Sequence, residues 1–262
     1  PLFWELDGHF PNHEANPLKS ETLRDLQRSV QENGSLFGVA FDGDADRIGI
    51  IDEQGTQIPG DILTALLAKE LLRLHPGSKI LYDLRSSWST PEAIQAFGGE
   101  AKMCRVGYAH IKRRMREEGA LFAGELSLHY YFSDFANCES GDYVLLLLLK
   151  ILLRERVPLS AIWKSLALYV HSGEINFTVA SPARVIELAD EEYGPQASST
   201  SRLDGLRLEM KRAENPNEDW WFNLRASNTE PLLRLNLEAR TVKEMEKHRQ
   251  ELSEKIRQWA KE

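Results

Sequence analysis

Residues 36–51 read Leu36-Phe37-Gly38-Val39-Ala40-Phe41-Asp42-Gly43-Asp44-Ala45-Asp46-Arg47-Ile48-Gly49-Ile50-Ile51. Two short apolar runs, rich in β-branched and aromatic side chains, flank a turn with a carboxylate at every second position and an arginine at its close. Runs of this length and makeup predict two strands meeting at a tight acidic turn. Three carboxylates crowded into five residues repel one another, and a bound cation relieves that repulsion. Hard oxygen donors suit Mg²⁺ or Ca²⁺ rather than zinc, which makes Asp42, Asp44 and Asp46 the candidate metal ligands. A solvated acidic turn is the plain alternative. A calcium EF-hand loop also competes, because Glu53 is the twelfth residue counted from Asp42. That loop needs glycine at its sixth position, which here is Arg47, and helices on its flanks. A metal-binding turn between strands is the better reading.

Beyond the turn, helical patterns cover 61–74, 90–97, 110–118 and 142–153, and strand patterns cover 79–84, 101–106 and 121–123. This alternation predicts an α/β fold with a mixed, mostly parallel sheet covered by helices. The apolar run from Val144 to Leu153 is interrupted by Lys150 and too short to span a bilayer, so it reads as a buried helix. Pro158 and Ser172-Gly173 mark a break. The pattern then changes to a strand at 174–179, a helix at 182–193 and a loop at 194–199. Strands follow near Thr200 and at 206–210, 221–224 and 233–237, and an amphipathic helix covers 242–260. Strands first and a helix last imply a separate C-terminal α+β domain near residues 169–262.

The 262 residues are 42% hydrophobic and 27% charged, ordinary for a globular chain long enough for two or three domains. A net charge of −8 argues against nucleic acid or an anionic membrane as partner. Small phosphorylated substrates fit if basic residues gather in a cleft. Cys104 and Cys138 form neither a disulfide framework nor a metal-ligand spacing, which suits a reducing, cytoplasmic compartment. No signal peptide is visible. The opening Pro1-Leu2-Phe3-Trp4, without an initiator methionine, reads as the middle of a longer chain.

Two further stretches carry candidate chemistry. In Gly124-Glu125-Leu126-Ser127-Leu128-His129, an extended backbone would point Glu125, Ser127 and His129 the same way. A carboxylate, a hydroxyl and an imidazole on one face suit sugar hydroxyls, with the histidine able to shuttle a proton; a solvated loop edge is the plain alternative. In Arg225-Ala226-Ser227-Asn228-Thr229-Glu230-Pro231, a guanidinium, hydroxyls, an amide and turn N–H groups form a phosphate cradle, or else an ordinary polar turn before a proline.

Taken in order and spacing, the acidic turn, the 124–129 stretch and the 225–231 stretch resemble the α-D-phosphohexomutase superfamily, in its phosphomannomutase/phosphoglucomutase branch. Asp7-Gly8-His9-Phe10-Pro11-Asn12-His13, Asn16-Pro17 and Gly60-Asp61 resemble it too. The resemblance implies an isomerase with four domains around a cleft. A phosphoserine would exchange its phosphoryl group with a hexose phosphate through a hexose 1,6-bisphosphate intermediate. It further implies Mg²⁺ on Asp42, Asp44 and Asp46, with Arg47 at the transferring group or the substrate and His129 as an acid–base participant. Glu125 and Ser127 would read sugar hydroxyls, and Arg225, Ser227, Asn228 and Thr229 would hold the other phosphate. Arg85 stands where lysine is usual, Gly107-Tyr108 where Gly-His is usual, and Leu128 where glycine is usual. Arg85 and Tyr108 remain candidate substrate contacts, with surface or packing roles as the alternative for both and for His110. Leu128 is expected to stiffen or narrow the loop.

The phosphoserine loop with its His-Asn-Pro run is absent from these residues. Residues 1–56 are therefore expected to be the end of the second domain, 57–168 the third and 169–262 the fourth, with roughly 200 residues missing by ordinary domain sizes. A truncated second domain leaves an unpaired sheet edge, expected to be poorly ordered or covered by the missing N-terminal segment or by another copy of the chain. The chain alone is expected to be inactive as a mutase. A phosphoglucosamine mutase ranks lower because Leu126 stands where that branch carries glutamine. A non-catalytic phosphosugar-binding protein is the reading from a different class.

Overall fold

The computed structural model describes residues 1–5, 7–212, 214–227 and 232–260. The chain forms two units, Pro1–Ala167 and Leu168–Glu262.

The first unit opens with α1 (Arg24–Glu32), which packs on the hairpin of β1 (Phe37–Phe41) and β2 (Ile48–Asp52). The hairpin is antiparallel, with Phe41 opposite Ile48, as the apolar–acidic–apolar pattern predicts. Among the described residues β1 pairs with no strand except β2. Next come α2 (Gly60–Leu74), β3 (Lys79–Asp83), α3 (Ser89–Ala96), β4 (Glu100–Cys104), α4 (Tyr108–Glu118) and β5 (Phe122–Gly124). After them come β6 (Tyr130–Phe132), β7 (Cys138–Glu139), α5 (Gly141–Glu155) and α6 (Leu159–Lys164).

The sheet order is β4-β3-β5-β6-β7; β3 pairs parallel with β4 and β5, and β5-β6-β7 are antiparallel. Strand alternation sorts the core. Ile80, Tyr82, Phe122, Tyr130 and Phe132 face the apolar cluster built with α2 and α5. Leu81, Ala123 and Tyr131 face the smaller one that Ile111 and Met115 of α4 close. The sheet therefore lies between two helical layers. α2 comes so close to the end of β5 that a Cβ on Gly124 would lie 2.0 Å from Thr64 Oγ1, so only glycine fits there.

The leucine run departs from the sequence expectation. Val144, Leu147, Leu148 and Ile151 are buried, but Leu146, Leu149 and Leu153 on the opposite side of α5 are 61%, 38% and 76% exposed. A run that is apolar all round gives no sign of which face will meet the core, so the helix is buried on one side only. Among the described residues no helix is long and apolar enough to cross a membrane.

The second unit is an antiparallel sheet of order β8-β12-β11-β10-β9. Its strands are β8 (Val170–Thr178), β9 (Ser199–Ser201), β10 (Leu206–Met210), β11 (Trp220–Ala226) and β12 (Leu232–Ala239), with helices α7 (Pro182–Tyr193) and α8 (Val242–Trp259). Alternation is strict. Leu206, Leu208, Phe222, Leu224, Leu233, Leu235 and Leu237 form the core under the helices. Arg207, Trp221, Asn223, Arg225, Arg234, Asn236 and Glu238 occupy the alternate positions and so project from the other face.

Candidate active site

The hairpin turn gathers its carboxylates. Ala45 takes a left-handed conformation (φ 60°), and its N–H donates to the Asp42 carbonyl at 3.3 Å. Carboxylate oxygens of Asp42, Asp44 and Asp46 lie within 4.8 Å of one another. Octahedral Mg²⁺ requires oxygens about 3–4 Å apart, so this donor set could hold one ion if its side chains rotated inward. Arg47 braces the turn, donating to Asp42 from its backbone N–H at 3.0 Å and its Nε at 2.7 Å, and to Asn16 Oδ1 from Nη1 at 3.3 Å. Burial pushes the Asp42 carboxyl up, but these Arg47 bonds prevail and hold it below its ordinary value. Asp46 moves the other way. Burial together with the Asp42 and Asp44 charges outweighs His129 and raises it. A cluster in which one carboxylate is pushed toward protonation is short of positive charge.

The 124–129 stretch forms a turn in place of the extended segment expected. Leu128 sits at φ 73°, its N–H reaches the Glu125 carbonyl at 3.1 Å, and the Glu125 N–H reaches the His129 carbonyl at 3.0 Å. The three candidate side chains converge because the chain reverses. Ser127 Oγ lies 3.0 Å from His129 Nδ1. The buried Glu125 accepts from the Gly107 N–H at 2.9 Å and the Tyr131 hydroxyl at 2.7 Å, and stands 3.3 Å from His129 Nδ1. His129 Nε2 is 3.3 Å from Asp46 Oδ1, and a β-bridge joins Arg47 to His129. Burial pulls the imidazole pKa down, but the Glu125 hydrogen bond and the Glu125 and Asp46 charges raise it overall. One histidine thus links the acidic cluster to the hydroxyl-bearing loop.

Arg85 is buried and folds back on Asp83, donating from N, Nε and Nη2 at 2.7, 3.1 and 2.8 Å. Asp83 Oδ2 also accepts from the Leu126 N–H at 2.7 Å, which ties the end of β3 to the 124–129 turn. Tyr108 begins α4 and is exposed, with Lys112 Nζ 5.5 Å from its ring centre. In the second unit, Arg225 and Arg234 are directly opposed across β11 and β12. Both reach Glu174, at 3.5 and 3.1 Å, and Arg234 donates to Ser227 Oγ at 3.1 Å. Asn228 and Thr229 lie outside the described residues.

Comparison with known proteins follows the same order along the chain. Models of phosphoglucomutase/phosphomannomutase alpha/beta/alpha domain II, alpha/beta/alpha domain III and the C-terminal domain match residues 1–55, 59–169 and 174–255. The phosphomannomutase of Methanocaldococcus jannaschii is 44% identical over 250 residues, covering 95% of this chain and 54% of that protein. That of Salmonella typhimurium is 42% identical over 235 residues, covering 89% and 50%. The chain belongs to the phosphoglucomutase/phosphomannomutase family. A solved structure of a family protein from Burkholderia thailandensis superposes with a TM-score of 0.87 at 30% identity, over 98% of this chain and 54% of that one. The chain spans about half the length of the relatives it matches.

Several residues of this family member emerge only from the folded chain. Tyr131 and Asp83 hold the 124–129 turn, and Arg234 doubles the cation at position 225. Arg234 could have been found from strand alternation, which places it beside Arg225 once the pairing is known; Tyr131 and Asp83 carry no local signal. Leu128 does not narrow the loop, because its side chain is buried in the main core. Its left-handed backbone costs about 1–2 kcal/mol, while losing a buried leucine costs about 2–5 kcal/mol. Leu128→Gly is therefore expected to lower the unfolding free energy by about 2 kcal/mol, measured by urea denaturation. A more stable variant would show that strain outweighs packing at this turn.

Proposed function

We propose that this chain supplies the metal-binding, sugar-reading and distal-phosphate-binding parts of a phosphohexomutase that interconverts hexose 1-phosphate and hexose 6-phosphate, of mannose, glucose or both. The observation that carries the reading is His129, in contact with Glu125 and Ser127 on one side and Asp46 on the other. Residues 1–56, 57–168 and 169–262 are read as the end of the second domain, the third and the fourth.

Asp42, Asp44 and Asp46 would hold Mg²⁺, which supplies positive charge against a transferring phosphoryl group. Arg47, already fixed by Asp42 and Asn16, would contact that group. His129 would carry a proton at Nε2, to be given to or taken from the reacting sugar oxygen. Glu125 and Ser127 would orient the sugar, with Asp83 and Arg85 holding their turn in place and Tyr108 as a further substrate contact. Arg225, Ser227 and Arg234, with Asn228 and Thr229, would hold the phosphate that is not being transferred. Glu174 already bridges the two guanidinium groups and offsets part of their charge, and a phosphate dianion would add charge-assisted hydrogen bonds to the same pair. The residues contain no serine followed by His-Asn-Pro, so the phosphoryl donor would come from a segment outside this sequence. A hexose 1,6-bisphosphate would be the intermediate.

The test is to join the chain to a phosphoserine-bearing segment of a relative and assay mannose 1-phosphate and glucose 1-phosphate with Mg²⁺ and a hexose 1,6-bisphosphate. Turnover is expected, with Asp44→Ala and Arg225→Ala each lowering kcat/KM on the order of a hundredfold. Turnover indifferent to both substitutions would refute the assignment of the site.

A further inference from the structure

Helix α5 carries its surface leucines at a spacing of three and four, Leu146, Leu149 and Leu153, on the side away from the core. A surface helix packed on a core through one face ordinarily presents polar residues on the other. Here the same stripe begins with Asp142 and ends at Arg156, one residue past the helix, and both are exposed. Neither makes an ion pair among the described residues. The nearby cations lie off the stripe: Lys150 is 3.2 Å from Glu70 of α2, and Arg154 pairs with the same carboxylate.

Asp142, Leu149 and Arg156 are successive heptad positions. At 1.5 Å per residue, the two charges lie about 10 Å from Leu149 in opposite directions along the helix. A stripe reading acid, leucine, leucine, leucine, base complements itself when a second copy runs antiparallel. Each Asp142 then meets the Arg156 of the partner subunit and the leucines meet at the centre. A parallel arrangement would set like charges against each other. The three–four spacing is the one that lets leucines of facing helices interlock.

We propose that α5 is a self-association surface through which two copies of this chain pair antiparallel, with the Leu146–Leu149–Leu153 stripe at the centre and Asp142 against Arg156 of the partner subunit at each end. The pairing is two-fold and closed, so it ends at a dimer. It depends on no assumption about the reaction.

Sedimentation equilibrium over a range of protein concentrations tests the proposal. The mass is expected to rise from 29.9 kDa toward twice that value with concentration. Leu149→Glu should raise the dissociation constant at least about tenfold, and because the side chain faces solvent the variant should keep the parent's circular dichroism. Asp142→Arg and Arg156→Asp should each weaken the dimer, and the two together should restore it, since the reversed pair is again complementary. A monomer at every concentration would overturn the proposal. So would a dimer unaffected by Leu149→Glu, or a double reversal that associates no better than either single change.

Discussion

Replacing Glu70 by glutamine is expected to lower the unfolding free energy by about 2–3 kcal/mol, while removing any one of its cationic partners should cost under about 1 kcal/mol. Glu70 is fully buried in α2 and receives Arg73 at 3.1 Å, Lys150 at 3.2 Å and Arg154. Burial pushes its carboxyl up, yet hydrogen bonds from Arg73, Arg154 and Lys150 reverse that and bring it to about 2. The asymmetry follows from exposure. Arg73, Lys150 and Arg154 are 50%, 47% and 32% exposed, so a cation deprived of the carboxylate regains water, and the loss stays below that of a wholly buried pair.

The same cluster of Glu70 and three cations sets an acid dependence. The folded pKa lies below the ordinary value of 4.5, so the stabilisation is complete above that pH and is lost as pH falls from 4.5 toward about 2. Its size is roughly 2 kcal/mol after allowing for solvent screening of the exposed partners. Urea midpoints for parent and Glu70→Gln should therefore converge on acidification. Parallel pH curves would place the carboxylate's contribution elsewhere.

Features that depend on local spacing were legible in the chain before folding. The hairpin from Phe37 to Asp52 follows from two apolar runs and one acidic turn. The second unit's core follows from alternation in strands such as Trp220–Ala226. Features that depend on distant partners were not. The 125–129 turn needs a leucine at positive φ, a conformation that leucine rarely takes and that only tertiary packing selects. The short strand Tyr130–Phe132 escaped notice although its aromatic run favours a strand. For Arg85 the spacing alone leaves substrate contact and packing both open, and its bonds to Asp83 appear only when the end of β3 is folded against it. The faces of α5 were indistinguishable because leucine occupies both. The acidic turn stood out for the converse reason, since nothing in ordinary packing calls for three carboxylates at alternate positions.

Asp83→Asn is expected to lower the unfolding free energy by about 3–5 kcal/mol and, on the proposed function, to weaken hexose phosphate binding while leaving Mg²⁺ affinity near that of the parent. The Asp83 carboxylate is completely buried. Burial pushes it up, but the Arg85 charge, with bonds from Arg85 and the Leu126 N–H, holds it below its ordinary value. Arg85 is itself buried, so neutralising Asp83 leaves a guanidinium with little water to turn to. That makes the change costlier than at Glu70, whose partners reach solvent. The functional half of the expectation comes from the single bond at 2.7 Å to Leu126, because it fixes the residue between Glu125 and Ser127. An asparagine has one acceptor oxygen for the four N–H donors the carboxylate serves, which loosens the tie between β3 and the turn that would orient the sugar, whereas the acidic cluster keeps its own bonds from Arg47 to Asp42. Calorimetric titration of the folded variant with mannose 1-phosphate, and separately with Mg²⁺, distinguishes the two. Loss of both affinities in step would mean that the 124–129 turn and the acidic cluster act as one unit through His129. Unchanged sugar-phosphate affinity in a destabilised variant would reduce Asp83 and Arg85 to a buried ion pair with no part in the site.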